Sequence, residues 1–160
     1  RGACLMQAQG SWLGFDFGEA RIGIAVGDRL VGIAHPLETL SAPDNDSRFA
    51  HIAALISEWQ ISGLAVGLPT HADGTPHEMT RLARRFAQRL HGRFGLPVVL
   101  VDERHSSLLA EDLLRESGRR GRKQKPVLDQ VAAQVILQSF FDQGGEAFDP
   151  TRPMAEGKDD

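Results

Sequence analysis

The sequence predicts a single α/β domain on a mixed five-stranded sheet: a three-strand antiparallel meander plus two further strands, with helices packed on it. Three observations carry that expectation. The chain opens with strand-like alternation broken by short turns, and then changes to helical spacing. It also holds one near-continuous apolar run, Pro97-Val98-Val99-Leu100-Val101. Short turns join antiparallel strands, whereas parallel strands need a crossover. An unbroken apolar run belongs to a strand covered on both faces.

The meander starts at Trp12. Leu13, Phe15 and Phe17 alternate with Trp12, Gly14 and Asp16, the period of a strand. Gly18 supplies a turn, and Arg21-Ile22-Gly23-Ile24-Ala25-Val26 reads as the second strand. Gly27-Asp28 turns the chain into a third, Leu30 to Ala34. Phe49, Ile52, Ala53 and Ile56 then share one face of a helix ending near Trp59. Leu64-Ala65-Val66 forms the fourth strand, closed by Gly67-Leu68-Pro69, and a loop rich in turn formers runs from His71 to Pro76. Met79, Leu82, Ala83, Phe86 and Leu90 mark a second helix, with Arg81, Arg84, Arg85 and Arg89 around its polar side. After the Pro97–Val101 strand the pattern predicts a helix from Ser107 to Glu116, a basic loop, and a last helix from Val127 to Phe141. Residues 1–10 read as a disordered lead-in, 11–143 as the domain, and 144–160 as a disordered acidic tail.

A chain of 160 residues with 41% hydrophobic and 24% charged residues suits one buried core. The single cysteine, Cys4, excludes an intramolecular disulfide framework and fits a reducing compartment. No stretch approaches the length of a transmembrane helix. The first residues lack the charged-then-apolar pattern of a secretory signal, so a cytoplasmic location without a membrane partner is expected. The net charge of −3 speaks against non-specific coating of nucleic acid, but positive charge gathers at Arg115, Arg119, Arg120, Arg122, Lys123 and Lys125. With no tyrosine and 6% aromatics, a stacking platform for single strands is not expected, and Trp12 and Trp59 are assigned to core or edge packing.

In such sheets, sites form beyond the carboxyl ends of the strands. Asp16 closes the first strand, and Asp102-Glu103 close the buried one. Either acid alone could serve as a turn former or helix cap. Asp129 shares a helical stripe with Ala132, Ala133 and Ile136, so it lies on the face turned to the sheet. A carboxylate there is either an acid favoured by the helix dipole or a metal ligand facing Asp16 and Glu103. If the strand continues, Asp102 points to the opposite face, which makes Glu103 the ligand. Hard oxygen donors select Mg²⁺ or Mn²⁺, and the six histidines show no paired zinc-ligand spacing. One or two such ions could activate water and stabilise the leaving oxygen of a phosphodiester.

Here four blocks become recognisable. Asp16-Phe17-Gly18-x-x-Arg21-Ile22-Gly23-Ile24-Ala25-Val26 resembles the opening of the YqgF/RuvX family, RNase H-like proteins described as Holliday junction resolvases and pre-16S rRNA nucleases. Val66-Gly67-Leu68-Pro69 with Asp73-Gly74-Thr75, Val101-Asp102-Glu103-Arg104 with Ser106-Ser107, and Lys123, Lys125 and Val127-x-Asp129-x-x-Ala132-Ala133 resemble its other blocks, in family order. His105 stands where the family usually carries an apolar residue.

The resemblance implies an RNase H-like fold and an acidic site of Asp16, Glu103 and Asp129. It also implies a nuclease that matures the small-subunit ribosomal RNA precursor, with ribosome-associated factors as candidate partners.

Around the acids, Arg21 and Arg104 could bind substrate phosphate through their planar forks or form structural salt bridges. The basic loop, Arg119, Arg120, Arg122, Lys123 and Lys125, precedes Asp129 by a few residues, which suits a nucleic-acid backbone held at the cleft edge. Gly67 and Pro69 wall the cleft, and Gly18 lets backbone approach a phosphate. Two other functions compete: a resolvase of four-way DNA junctions using the same chemistry, and a non-catalytic RNA-binding factor in ribosome assembly.

Overall fold

The computed structural model describes residues 10–18, 21–41, 44–68, 78–102 and 124–148. The helix expected at 107–116, the basic loop before it reaches the last helix, the loop at 71–76 and the first nine residues lie outside the described residues.

The elements run β1 Ser11–Phe17, β2 Ile22–Asp28, β3 Ile33–Leu40, α1 Asn45–Trp59, β4 Ile61–Leu68, α2 Glu78–Phe94, β5 Val98–Asp102, α3 Gln124–Gln143 and β6 Glu146–Ala147. They form one sheet in the order β3-β2-β1-β4-β5-β6. The first three strands pair antiparallel, as the short turns require. Beta strands β1, β4 and β5 are parallel, joined through α1 and α2, so their carboxyl ends share one edge of the sheet.

Four expectations are corrected. The sheet has six strands rather than five, because residues assigned to a disordered tail fold back: Leu100 pairs with Glu146, and the Phe148 amide donates to the Val98 carbonyl. Two residues carry no periodicity of their own, and backbone pairing with β5 makes them a strand. The third strand begins at Ile33 and runs to Leu40 instead of spanning Leu30 to Ala34. The Asp28 carboxylate accepts from the amides of Leu30 and Val31, and the Gly32 amide reaches the Asp28 carbonyl. That arrangement curls the apolar pair into a turn where they stand 77% and 68% exposed. Pro36 is tolerated within β3 because β3 is an edge strand. On α1, Leu55 rather than Ala53 completes the buried stripe with Phe49 and Ile52. The last helix is also longer than expected at both ends.

The strand alternation sorts side chains onto two covered faces. Leu13, Phe15, Ile22, Ile24, Leu64, Val66, Val98 and Leu100 join Phe49 and Ile52 of α1 and Ala83, Phe86 and Leu90 of α2 in one core. Trp12, Ala25, Ala34, Ala65, Val99 and Val101 join Ala133, Ile136, Leu137 and Phe140 of α3 in the other. The assignment of Trp12 to core packing holds, at 1% exposure, while Trp59 ends α1 partly exposed.

Helix α3 lies unusually close to the sheet. A β-carbon on Gly14 would come within 2.7 Å of the Leu137 β-carbon, and one on Gly23 within 2.0 Å of the Asp129 carbonyl oxygen. Those strand glycines are what let the helix backbone touch the sheet. Farther along, Gln134 and Gln138 clamp the helix to the edge. Gln138 accepts from the Ala34 amide and donates to the Gly32 carbonyl, and Gln134 donates to the Ala34 carbonyl.

Candidate active site

The site grows from one alternation and one close approach. In β2 the even residues Ile22, Ile24 and Val26 belong to the α1/α2 core, so Gly23 and Ala25 face α3, and so does Arg21 by continuation. In β1 Trp12 and Gly14 face α3, which puts Asp16 on that face at the carboxyl end of the strand. Asp16 is the direct cross-strand partner of Gly23, and Gly23 is the residue on which Asp129 rests.

The distance follows from those two facts. Directly opposed residues have β-carbons about 4.5–5.5 Å apart. The Asp129 β-carbon lies 3.0 Å from the point a Gly23 β-carbon would occupy. The β-carbons of Asp16 and Asp129 are therefore separated by at most about 8.5 Å, on the same face.

A cation already sits between the elements that carry the acids. The Arg21 Nε donates to the Asp129 Oδ2 at 2.6 Å, with side chains 38% and 21% exposed. Gly18 makes room for this: a β-carbon there would meet the Arg21 carbonyl oxygen at 2.7 Å, so the chain folds back tightly after β1. Of the two roles open to Arg21, the ion pair is the one observed. A pairing of this kind, half in solvent, is worth on the order of 1 kcal/mol.

Glu103 follows the last residue of β5 and lies outside the described residues, as do Pro69, Arg104, Arg119, Arg120, Arg122 and Lys123. Lys125 falls in the first turn of α3. In β5, Val99 and Val101 face α3 while Val98 and Leu100 face the other way, and Asp102 is exposed at the strand end. Gly67 is the buried penultimate residue of β4, paired with Val101, on the same face as Asp16. A cleft of about 420 Å³ opens where β5 meets β6, lined among others by Arg84, Asp102, Ser139, Gln143 and Glu146. Arg84, on the polar side of α2, lines this cleft at the carboxyl end of β5.

Among the described residues no three His, Cys, Asp or Glu side chains cluster as a metal centre. Asp16 and Asp129 supply two oxygen donors on one face, a set that fits a hard divalent cation, and Asp129 already accepts a positive charge. Gly23 was not singled out as a site residue, yet it sets the Asp16–Asp129 spacing. Its signal was present as a glycine inside a strand, which marks a close backbone approach as often as a bulge.

A mixed sheet with antiparallel β1–β3, parallel β4 and β5, and a helix covering the end of β1 is the arrangement of an RNase H-like fold. The fold likeness is direct. A T. thermophilus RuvC in complex with a Holliday junction substrate superposes with a TM-score of 0.54 at 13% identity, covering 87% of this chain and 99% of that one. A second Thermus thermophilus RuvC structure gives 0.51 at 11% identity, covering 86% and 99%.

Residues 10–143 match the family described as RuvX, Holliday junction resolvase, and the chain belongs to that family. A Chromobacterium violaceum relative named as a candidate pre-16S rRNA nuclease is 62% identical over 136 residues, 84% of this chain and 99% of its own. A Dechloromonas aromatica relative with the same name is 56% identical over 146 residues, 91% of this chain and 99% of its own. No helix among the described residues is long and apolar enough to cross a membrane.

Proposed function

We propose that this chain is a divalent-metal-dependent nuclease that matures the precursor of 16S ribosomal RNA in the cytoplasm. The observation that carries the reading is the placement of Asp16 and Asp129 on one face at the carboxyl end of β1, held there by the Gly23 contact. The names of the curated relatives supply the substrate.

In this reading Asp16, Asp129 and Glu103 would hold Mg²⁺ or Mn²⁺, which when bound would lower the pKa of a water and offset charge on the leaving oxygen. Glu103 is taken as the third donor on the sequence reading, in which a strand running on past Asp102 would alternate it onto the face of Val99 and Val101. Asp16 is fixed by strand pairing and Asp129 by helix packing, so both acids are oriented before substrate arrives. Gly67 and Gly18 keep side chains out of the way of a phosphate backbone. Arg21, Arg104, Arg119, Arg120, Arg122, Lys123 and Lys125 hold phosphates around the cut, a recognition by charge and shape rather than by base identity.

A second reading, resolution of four-way DNA junctions, is favoured by the family description and by the fold shared with RuvC. The two separate on substrate. Wild type is expected to cut a precursor 16S RNA fragment in Mg²⁺ or Mn²⁺. Asp16→Asn is expected to lose about a thousandfold in rate, several kcal/mol of charge stabilisation, while unfolding at the same temperature. Preference for a junction, cut symmetrically, selects the second reading. RNA binding without cleavage, or an Asp16→Asn protein that cuts as fast as wild type, removes the acidic mechanism and leaves an RNA-binding assembly factor.

A further inference from the structure

The contact between Arg21 and Asp129 uses a small part of what each group offers. Only Nε of the guanidinium reaches the carboxylate, through Oδ2. Among the described residues, neither the terminal nitrogens of Arg21 nor Oδ1 of Asp129 has another partner. A structural Arg–carboxylate bridge favours two parallel bonds, because the planar fork matches the two oxygens. Here half the carboxylate and two thirds of the fork are left for other partners. The pair is also partly open to solvent, at 38% and 21% exposure.

Its position explains why a cation is held there. Asp16 and Asp129 carry like charges on one face, and the Gly23 contact prevents α3 from moving Asp129 away. Like charges at such a spacing destabilise the fold unless a positive group lies nearby. Arg21 stands one residue before β2, on the same face, brought back by the tight approach at Gly18.

We propose that Arg21 is an exchangeable counter-cation of the acidic site. It holds Asp129 while no divalent ion is bound, competes with that ion for the carboxylate, and lets go when the ion binds. The proposal rests on Asp129 being a metal ligand, and it adds a regulation that the ligand assignment does not require. A purely structural Arg21 would orient Asp129 for the metal, and its loss would weaken binding. A competing Arg21 does the opposite, since removing a group that binds the metal-free state shifts the equilibrium toward the metal-bound one.

The test is Mn²⁺ binding to the full chain by calorimetry, with no nucleic acid present. Arg21→Gln, which keeps a hydrogen-bond donor and loses the charge, is expected to bind Mn²⁺ roughly tenfold tighter than wild type, the scale of one partly exposed charge-assisted contact. Its metal-free melting temperature should fall, and its gain on adding Mn²⁺ should exceed that of wild type. Arg21→Lys should stay close to wild type, and Arg89→Gln on α2 should change affinity less than twofold. Equal or weaker binding by Arg21→Gln overturns the proposal, as does an equal gain in Arg89→Gln, which would make the effect one of net charge.

Wild type supplies a readout that needs no variant. The Arg21 Nε–H resonance is expected to shift and exchange faster with solvent as Mg²⁺ is added, and a resonance unmoved at saturation overturns the exchange. If wild type binds no ion, or Asp129→Asn binds as well as wild type, it is the ligand reading that fails, and the proposal falls with it.

Discussion

The two faces of the sheet are built from different materials. Against α1 and α2 the strands present Leu13, Phe15, Ile24, Leu64 and Val66, and the aromatic rings gather around Phe86. Phe17 lies 4.9 Å from it between centroids, Phe15 5.5 Å and Phe49 5.9 Å. Against α3 the same strands present Gly14, Gly23, Ala25, Ala34 and Ala65. The large aromatic pair on that face, Trp12 with Phe140 at 4.6 Å, sits at the start of β1. Asp16 lies four residues away, about 13 Å along the strand. Bulky side chains hold a helix off a sheet and bury much apolar area, whereas glycine and alanine let helix backbone touch strand backbone. The first arrangement contributes stability. The second fixes where a carboxylate stands, because the Asp129 backbone rests directly on Gly23.

That division predicts different consequences for substitutions a few ångströms apart. The largest loss of stability is expected from Phe15→Ala, about 3–5 kcal/mol, because a fully buried ring leaves a cavity among Phe86, Ile24 and Val66. Urea unfolding measures the loss, and Mn²⁺ affinity of the folded variant should remain within twofold of wild type. A parallel collapse of metal affinity would show that the two faces are not independent.

Gly23→Ala should cost less, about 1–3 kcal/mol, the usual range for overpacking. Its added carbon would stand 2.0 Å from the Asp129 carbonyl oxygen and 2.4 Å from the carbonyl carbon, so α3 must lift. Because the lifted segment carries Asp129, Mn²⁺ binding should weaken roughly tenfold or more, beyond what the stability change implies. Stability lost with metal affinity intact would mean that the close approach is only packing.

The same contrast decides what was legible in the sequence. The α1/α2 face announced itself, because Leu13, Phe15, Ile24, Phe49, Ile52 and Phe86 follow the periods of strand and helix. The α3 face was legible only in part. Asp129 stood out as a charge on an apolar stripe, but Gly14 and Gly23 gave only the ambiguous signal of a glycine inside a strand, since a missing side chain has no periodicity. The clamp of Gln134 and Gln138 on β3 was invisible for a related reason: polar helix residues normally signal solvent. Leu30 and Val31 misled in the other direction, as apolar residues that a carboxylate at Asp28 holds in a turn. Strand β6 exists only as a partner of β5, and no local signal marks it. Of the expected acids, strand alternation puts Asp16 and the helical stripe puts Asp129 on one face, while Glu103 lies outside the described residues.

The smallest effect is expected at the far end of the α1/α2 layer, and it sharpens the contrast by being electrostatic without belonging to the acidic site. Asp44 caps α1, its carboxylate accepting from the Ser47 amide at 2.8 Å. Hydrogen bonding to the Ser47 backbone and then to its side chain lowers the Asp44 pKa below the ordinary carboxylate value. A depressed folded-state pKa means that ionised Asp44 stabilises the fold above its unfolded value, and that this contribution is lost as pH falls through the lowered one. Asp44→Ala should therefore lower the melting temperature slightly at neutral pH, by a nearly constant amount down to about pH 4, with the gap closing in stronger acid. Mn²⁺ affinity should not change at any pH, since the cap lies on the opposite side of the sheet from Asp129. A gap that held undiminished through strong acid would assign the effect to lost packing or helix propensity at position 44 instead of the carboxylate, and would remove Asp44 as an acid-sensitive element of this layer.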